Sequence, residues 1–280
     1  MKKTILLSSV LLLSSSLLFG CAQNTEKQET KKETTTTLSN GMKQVTSDYR
    51  EYALAEMDDF VVKTEAFATA VKAGEVDKAK ELYAPARMHY ERAEPIAEAF
   101  GDLDPKIDAR DGDVPAEEWG GYHRIEQGLW EQNTTAGYEA YADQLIKDTK
   151  LLRAKVETVE VTPDLLTTGA VDLLNEVSTS KVTGEEDRYS HTDLYDFAAN
   201  VQGAEKIYEL LKPAIEKKDK ELAKEIGQRF DEVYALLNQH KQGDGYVLYT
   251  DLNKAQVKEL SQAIDTLAEP LSQMGIVLEG

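Results

Sequence analysis

The chain is 280 residues long, 41% apolar and 30% charged, with 51 Asp and Glu against 32 Lys and Arg and a formal charge of −19. An acidic excess of that size repels polyanions, so nucleic acid, anionic glycans and anionic lipid surfaces are poor partners, whereas cations are concentrated near it. The single cysteine, Cys21, excludes an intrachain disulfide.

At the N-terminus, Lys2 and Lys3 precede an apolar stretch from Ile5 to Leu18 that closes on Leu18-Phe19-Gly20-Cys21. The stretch is short for a bilayer span and ends in small residues, as an export signal over residues 1–20 does. Its loss, with Lys2 and Lys3, would leave 30 of the 32 basic residues against 51 acidic ones, a charge of −21. Leu-x-Gly-Cys resembles the bacterial lipobox. That resemblance implies cleavage before Cys21 and a diacylglycerol on its sulfur, anchoring the protein outside the cytoplasm, on the outer face of the cell membrane or in the periplasm. Each buried lipid methylene contributes about 0.8 kcal/mol, and two or more chains hold far more firmly than one. Residues 21–42, rich in Thr, Lys, Glu, Gln and Asn with little to bury, are expected to form a disordered tether.

From residue 43 to 280 the pattern is helical nearly throughout. Tyr52, Leu54, Met57, Val61, Phe67 and Val71 recur at a period near 3.6 over residues 45–73, with Gly74 as a stop. A second helix over 77–100 carries Leu82, Tyr83, Ala86 and Tyr90, and Pro85 and Pro95 should bend or interrupt it. Helices follow over 119–131 and 137–159. Thr162-Pro163-Asp164 then supplies an N-cap, a proline at the first helical position and an acidic first turn. Further helices are expected over 164–178, 193–217, 219–241 and 251–273. No sustained period-2 run marks a strand, so the fold class is all-α. Ala79-Lys80-Glu81-Leu82 and Tyr90 recur as Ala223-Lys224-Glu225-Ile226 and Tyr234 at a constant offset, which suggests two pseudo-duplicated four-helix halves meeting near residues 160–190.

His123 and Glu126 stand three apart on the third of these segments, so both side chains face one way and one ion could accept a nitrogen and an oxygen from a single turn. Glu91 and Glu94 form a second same-face pair, and two helices packed about 8–10 Å apart could bring both pairs over one cation in a bundle core. The connection between them holds Asp102, Asp104, Asp108, Asp111 and Asp113, in an order that does not match a calcium-binding loop. Mixed His and carboxylate ligation suits iron, manganese or zinc, and a carboxylate majority leans toward iron, as Fe2+ or Fe3+, although zinc or copper could occupy the same groups in vitro. His89 and His240 have no such company. The segment Gly184 to Leu194 reads as a helix start, with Ser190 or Thr192 as cap and Asp193 favoured by the dipole.

Tyr83-Ala84-Pro85-Ala86-Arg87, Glu91-Arg92-Ala93-Glu94-Pro95, Gly121-Tyr122-His123-Arg124-Ile125-Glu126, Gly184 to Leu194 and Gly245-Tyr246-Val247-Leu248-Tyr249 together resemble the EfeO/EfeM family of imelysin-like proteins, over residues 45–275. The resemblance implies a helical metal-binding domain of two four-helix halves. It further implies an extracytoplasmic lipoprotein that binds iron through an HxxE-centred site for an Efe-type uptake system, with an iron permease and a haem-type peroxidase as partners. Carried over by position, the metal ligands are His123 and Glu126 with Glu91, Glu94, Asp108 and Glu186, while His191 has no settled role. No cupredoxin-like domain precedes the helices, so the chain is similar to the short form, and copper-assisted oxidation is not implied. Binding and delivery, not catalysis, are the expected activity.

Two other classes compete. An imelysin-type metallopeptidase would want H-E-x-x-H, yet position 127 is Gln127 and a second histidine would have to come from as far as His191. A glycan-binding or adhesion role, of the kind an alginate-binding relative suggests, would use Trp119, Trp130 and the tyrosines, but the charge opposes an acidic glycan unless a metal bridges the two.

Overall fold

The computed structural model describes residues 24–97, 100–179 and 181–279, with side chains from Gly41 onward. The expected export signal and Cys21 lie outside the described residues. Nine α-helices are present among them: α1 (Asn24–Ala73), α2 (Val76–Ala97), α3 (Asp104–Ile107), α4 (Gly121–Trp130), α5 (Glu139–Val156), α6 (Pro163–Thr179), α7 (Asp193–Lys218), α8 (Lys220–Leu237) and α9 (Lys254–Glu279). The fold is all-α; its strands among the described residues are β1 (Lys241–Gln242) and β2 (Gly245–Tyr246), paired antiparallel. Contacts divide the chain into Met1–Asn40 and a compact unit, Gly41–Gly280.

Within that unit the helices form two groups. Phe60 and Phe67 of α1 pack on Tyr90 and Tyr83 of α2 and on Tyr122 of α4, with ring centroids 5.2–5.9 Å apart, and α1 is tied to α5 by Arg153–Asp58 and Lys150–Glu65 at 2.5 Å. Each of these fully buried aromatic rings contributes about 1.5–3 kcal/mol relative to exposure, so they anchor the first group far more than the surface ion pairs do. The second group is α6 to α9, each packed on its neighbours in sequence, with α6 closing on α9. The groups join where α2 lies along α7 and crosses α6. On α7, a Cβ at Gly203 would sit 2.6 Å from the Arg92 carbonyl oxygen, so glycine there permits the close α2–α7 approach that brings the polar residues of both helices together.

Several local expectations are met by identifiable contacts. The Thr162 hydroxyl accepts from Leu165 N at 3.1 Å as α6 begins at Pro163, and the chain turns at Gly74. Others need correction. Within the stretch expected as a disordered tether, α1 begins at Asn24; a lack of apolar residues argues against a packed face, not against helix. Neither Pro85 nor Pro95 interrupts α2, and Pro95 packs against Gly169 of α6, a tertiary contact that offsets its lost donor. The helix expected to reach residue 241 stops at Leu237 and continues through a 3-10 turn into the β1–β2 hairpin. The last helix starts at Lys254, where Asn253 Oδ1 accepts from Ala255 N and Gln256 N while Gln256 Oε1 accepts from Asn253 N, a reciprocal cap. The repeated sequence links α2 with α8, the second helix of one group and the third of the other; its shared alanines, Ala79 and Ala223, are buried positions of the sort any amphipathic helix supplies.

Candidate metal centre

Local chain geometry puts one histidine beside one aspartate. Gly121 opens α4 at φ +74°, and a Cβ there would lie 2.3 Å from the Ile107 carbonyl oxygen, so only glycine allows the end of α3 to press on the start of α4. Asp108 follows that contact and His123 lies two residues beyond it. As a result His123 Nε2 sits 3.7 Å from Asp108 Oδ1. From the other group, the connection between α6 and α7 delivers Glu186, whose Oε1 lies 3.7 Å from the same nitrogen.

The two edges of the imidazole differ. Nδ1 is 3.0 Å from Glu126 Oε2 and 3.1 Å from the Tyr83 hydroxyl; that hydroxyl donates to Asp187 Oδ1 at 2.9 Å, so Nδ1 carries the proton. Nε2 is buried and has no hydrogen-bond partner. Glu126 is engaged on both oxygens, since Oε1 accepts from Tyr189 N at 3.1 Å and Ser190 N at 2.7 Å. It therefore orients the ring and fixes its tautomer, the arrangement by which a carboxylate behind a histidine prepares the far nitrogen for a metal. Asp108, His123 and Glu186 each offer a donor atom within 4.8 Å of the others. An ion about 2.1 Å from each of two donors at a tetrahedral angle separates them by about 3.4 Å, close to the spacing found here.

Electrostatics favour the same edge. Burial and the Arg87 guanidinium push the His123 pKa down, but Glu126, Glu186 and Asp108 outweigh them and raise it to about 10. Burial acts to raise Glu186, yet Lys181, His123 and Arg87 hold its carboxyl well below the usual range. Burial likewise opposes ionisation of Glu126, and His123 with the Ser190 N–H lowers it. The imidazolium thus stands in for a cation until one arrives, and ion binding at Nε2 must release its proton.

The other predicted carboxylates go elsewhere. Glu91 accepts from Arg87 at 2.8 Å, from Asn200 at 3.1 Å and from Lys181, which is fully buried. Glu94 accepts from Asn200 at 2.7 Å and lies 3.8 Å from Lys181. Both face α7 across the helix contact and neither reaches His123, although Glu94 shares with Asp108 and Glu186 the lining of an acidic cleft of about 250 Å3. The expected convergence of the two same-face pairs on one ion is therefore incomplete. The structure brings together His123, Asp108 and Glu186 on the Nε2 edge and His123, Glu126 and Asp187 on the Nδ1 edge, and leaves Glu91 and Glu94 compensated by protein cations.

Of the aspartates between α2 and α4, Asp102 pairs with Lys155, Asp104 with Tyr90, Asp113 with Arg110, and Asp111 lies 3.4 Å from the Tyr189 hydroxyl; only Asp108 turns inward. Thr192 stands at the start of α7 but its hydroxyl donates to Asp187 at 2.6 Å instead of capping, and Asp193 is buried, with Oδ1 accepting from Asp187 N. His191 serves through its backbone, at φ 58°, donating to Asp187 O and accepting from Tyr249 N, and belongs to none of the His and carboxylate groups found among the described residues. His89 bonds Glu56 at 2.8 Å, away from the site. Trp119 is 5% exposed and its indole donates to Ala109 O, so it offers no open face to a sugar, and Trp130 packs edge-on against Tyr83. Sequence reasoning missed Arg87, Lys181, Asp187, Asp196 and Asn200. The i, i+4 spacing of Arg87 and Glu91 and the Asp193, Asp196, Asn200 stripe on α7 were the available signals.

No described helix is long and apolar enough to cross a membrane. The imelysin model, Peptidase_M75, matches residues 45–274. An Efem/EfeO family lipoprotein of Staphylococcus haemolyticus strain JCSC1435 is 53% identical over 246 residues, covering 85% of each chain. One from Staphylococcus aureus strain NCTC 8325 is 49% identical over 244 residues, covering 85% of this chain and 86% of its own. With a family match running through both helix groups and relatives this similar along most of their length, the chain belongs to the imelysin family, among its Efem/EfeO lipoproteins.

Proposed function

We propose that this protein is an extracytoplasmic, lipid-anchored iron carrier, which takes up the ion at His123 Nε2, Asp108 and Glu186 and passes it to an Efe-type permease that works with a haem-type peroxidase. The observation that carries the reading is the unpartnered Nε2, buried between two carboxylates beside an acidic cleft. An arriving cation takes the place of the Nε2 proton, whose charge the same two carboxylates now face. The formal charge of −19 draws cations toward that cleft. Asp108 and Glu186 contribute hard oxygens that suit iron, and they bind zinc or copper(II) as well. Cys21 holds the anchor, and its lipidation fits the lipoprotein name of the relatives.

The ion is cargo, so the site has to release it. A single histidine in the cluster, and Gln127 where a zincin would place a ligand, with its amide 3.4 Å from the Tyr189 hydroxyl, support binding over hydrolysis. Calorimetry of the soluble domain with anaerobic ferrous ion, ferric citrate, zinc and copper, repeated on His123→Ala, tests the site: the parent binds and the variant does not. Equal affinity in both would remove His123 from the site. Chelator-sensitive cleavage of casein would overturn the non-enzymatic reading, and release of a Cys21→Ala protein into the medium would support the anchor.

A further inference from the structure

Arg87 donates five hydrogen bonds to four carboxylates, and the reading of the site above makes it neither a ligand nor a group that orients one. It rises from α2 into the seam between the helix groups and is 1% exposed. Its Nε donates to Asp196 Oδ2 at 3.1 Å, one terminal nitrogen donates to Asp108 Oδ1, and the other donates to Glu91 Oε1 at 2.8 Å, Asp196 Oδ2 at 3.0 Å and Glu186 Oε1 at 3.3 Å. Glu91, Glu186 and Asp196 are spaced closely enough to hold an ion of their own, but the guanidinium already fills the space they surround. The decisive detail is atomic: Asp108 Oδ1 and Glu186 Oε1, which accept from Arg87, are the oxygens that lie 3.7 Å from His123 Nε2.

Resting on the iron-carrier reading, we propose that Arg87 is a resident cation that sets how tightly the His123 site holds its metal. It shares two of the ligand oxygens with the ion, lowers the affinity by its charge, and retains those oxygens when the ion leaves. A carboxylate oxygen has lone pairs for both a metal and an N–H, so Arg87 need not move aside; its positive charge opposes a second cation in a poorly screened interior. A guanidinium suits this post because it is charged at every physiological pH and its planar fork can hold several carboxylates in fixed orientation. Without it the cleft would hold a hard cation so firmly that delivery would be slow; with it, loading and release are balanced.

The test is a titration of the soluble domain with zinc alone and with anaerobic ferrous ion alone, together with the dissociation rate under chelator challenge. Arg87→Gln should bind each metal about tenfold more tightly and release it about tenfold more slowly, within the usual range of site–site coupling. Arg87→Lys, which keeps the charge, should return the affinity toward the parent value. If Arg87→Gln does not fold, the double variant Arg87→Gln/Asp196→Asn, which removes the charge with a carboxylate that does not approach His123, should show the same tightening over Asp196→Asn. Equal or weaker binding in a folded Arg87→Gln protein would overturn the proposal, since it would make Arg87 a strut for the carboxylates. A parent protein that binds neither metal would instead sink the carrier reading, so the two failures are separable.

Discussion

The pairs His123/Glu126 and Glu91/Glu94 share a spacing, a buried helix face and acidic company, and they end in opposite electrostatic conditions. Around Glu91 and Glu94 the protein supplies its own compensation, with Lys181, Arg87 and Asn200 each donating to a carboxylate. Around His123 compensation is lopsided: Nδ1 is fully held while Nε2 faces two carboxylates with no hydrogen bond. A metal centre is defined less by how many ligand-type residues converge than by whether a donor nitrogen among them is left without a hydrogen bond.

That contrast can be broken by substitution, and the largest effect belongs to the compensated side. Lys181→Met should destabilise the fold by about 3–5 kcal/mol, because Glu91 and Glu94 would lose the buried cation they share and keep only Arg87 and Asn200; thermal unfolding measures it, and metal affinity at His123 should fall far less than in His123→Ala. A larger loss of affinity than of stability would mean that the two regions are one site. His123→Ala should do the reverse, reducing affinity by more than about a hundredfold in a folded protein, beyond the 10–100-fold typical of an outer-shell change. Glu126→Gln, acting through the ring and not on the ion, should fall within that 10–100-fold range.

Protons sharpen the same comparison. The His123 pKa of about 10 in the metal-free protein lies above its ordinary 6.5, so its stabilising contribution is complete below about 6.5 and is lost as pH rises through 10. Metal affinity runs the opposite way, increasing by up to about tenfold per pH unit over that window as the displaced proton becomes easier to lose. A flat affinity profile between pH 6.5 and 9 would show that Nε2 is not a ligand. The smallest effect is expected at Asp193, where burial and the neighbouring Asp187 push the carboxyl up to about 7 and Oδ2 has no partner. Its charge costs stability increasingly from pH 4 to 7, so Asp193→Asn should raise stability by about 1–2 kcal/mol at pH 8 and by little near pH 4.

Much of this was legible in the sequence because it is local. Apolar period gave the helices, Thr162-Pro163 gave the start of α6, and i, i+3 spacing showed that His123 with Glu126, and Glu91 with Glu94, share faces. What spacing cannot give is which partner a buried charge meets across a helix contact. Lys181 follows α6 and meets α2 only after the groups dock, and Arg87 meets Asp196 across the α2–α7 seam. The start of α7 misled for a related reason: Thr192 and Asp193 have the composition of a cap, yet in a buried start both are bound to Asp187. Family resemblance contributed Asp108 and Glu186, which no periodicity singles out.

The most direct test is an anomalous difference map of a crystal of the soluble domain soaked with zinc or grown with iron. The account predicts a peak about 2.0–2.2 Å from His123 Nε2 and from carboxylate oxygens of Asp108 and Glu186, with Glu126 still on Nδ1. A peak between Glu91 and Glu94 with Lys181 displaced, or an ion bound at Glu126 on the Nδ1 edge, would contradict it.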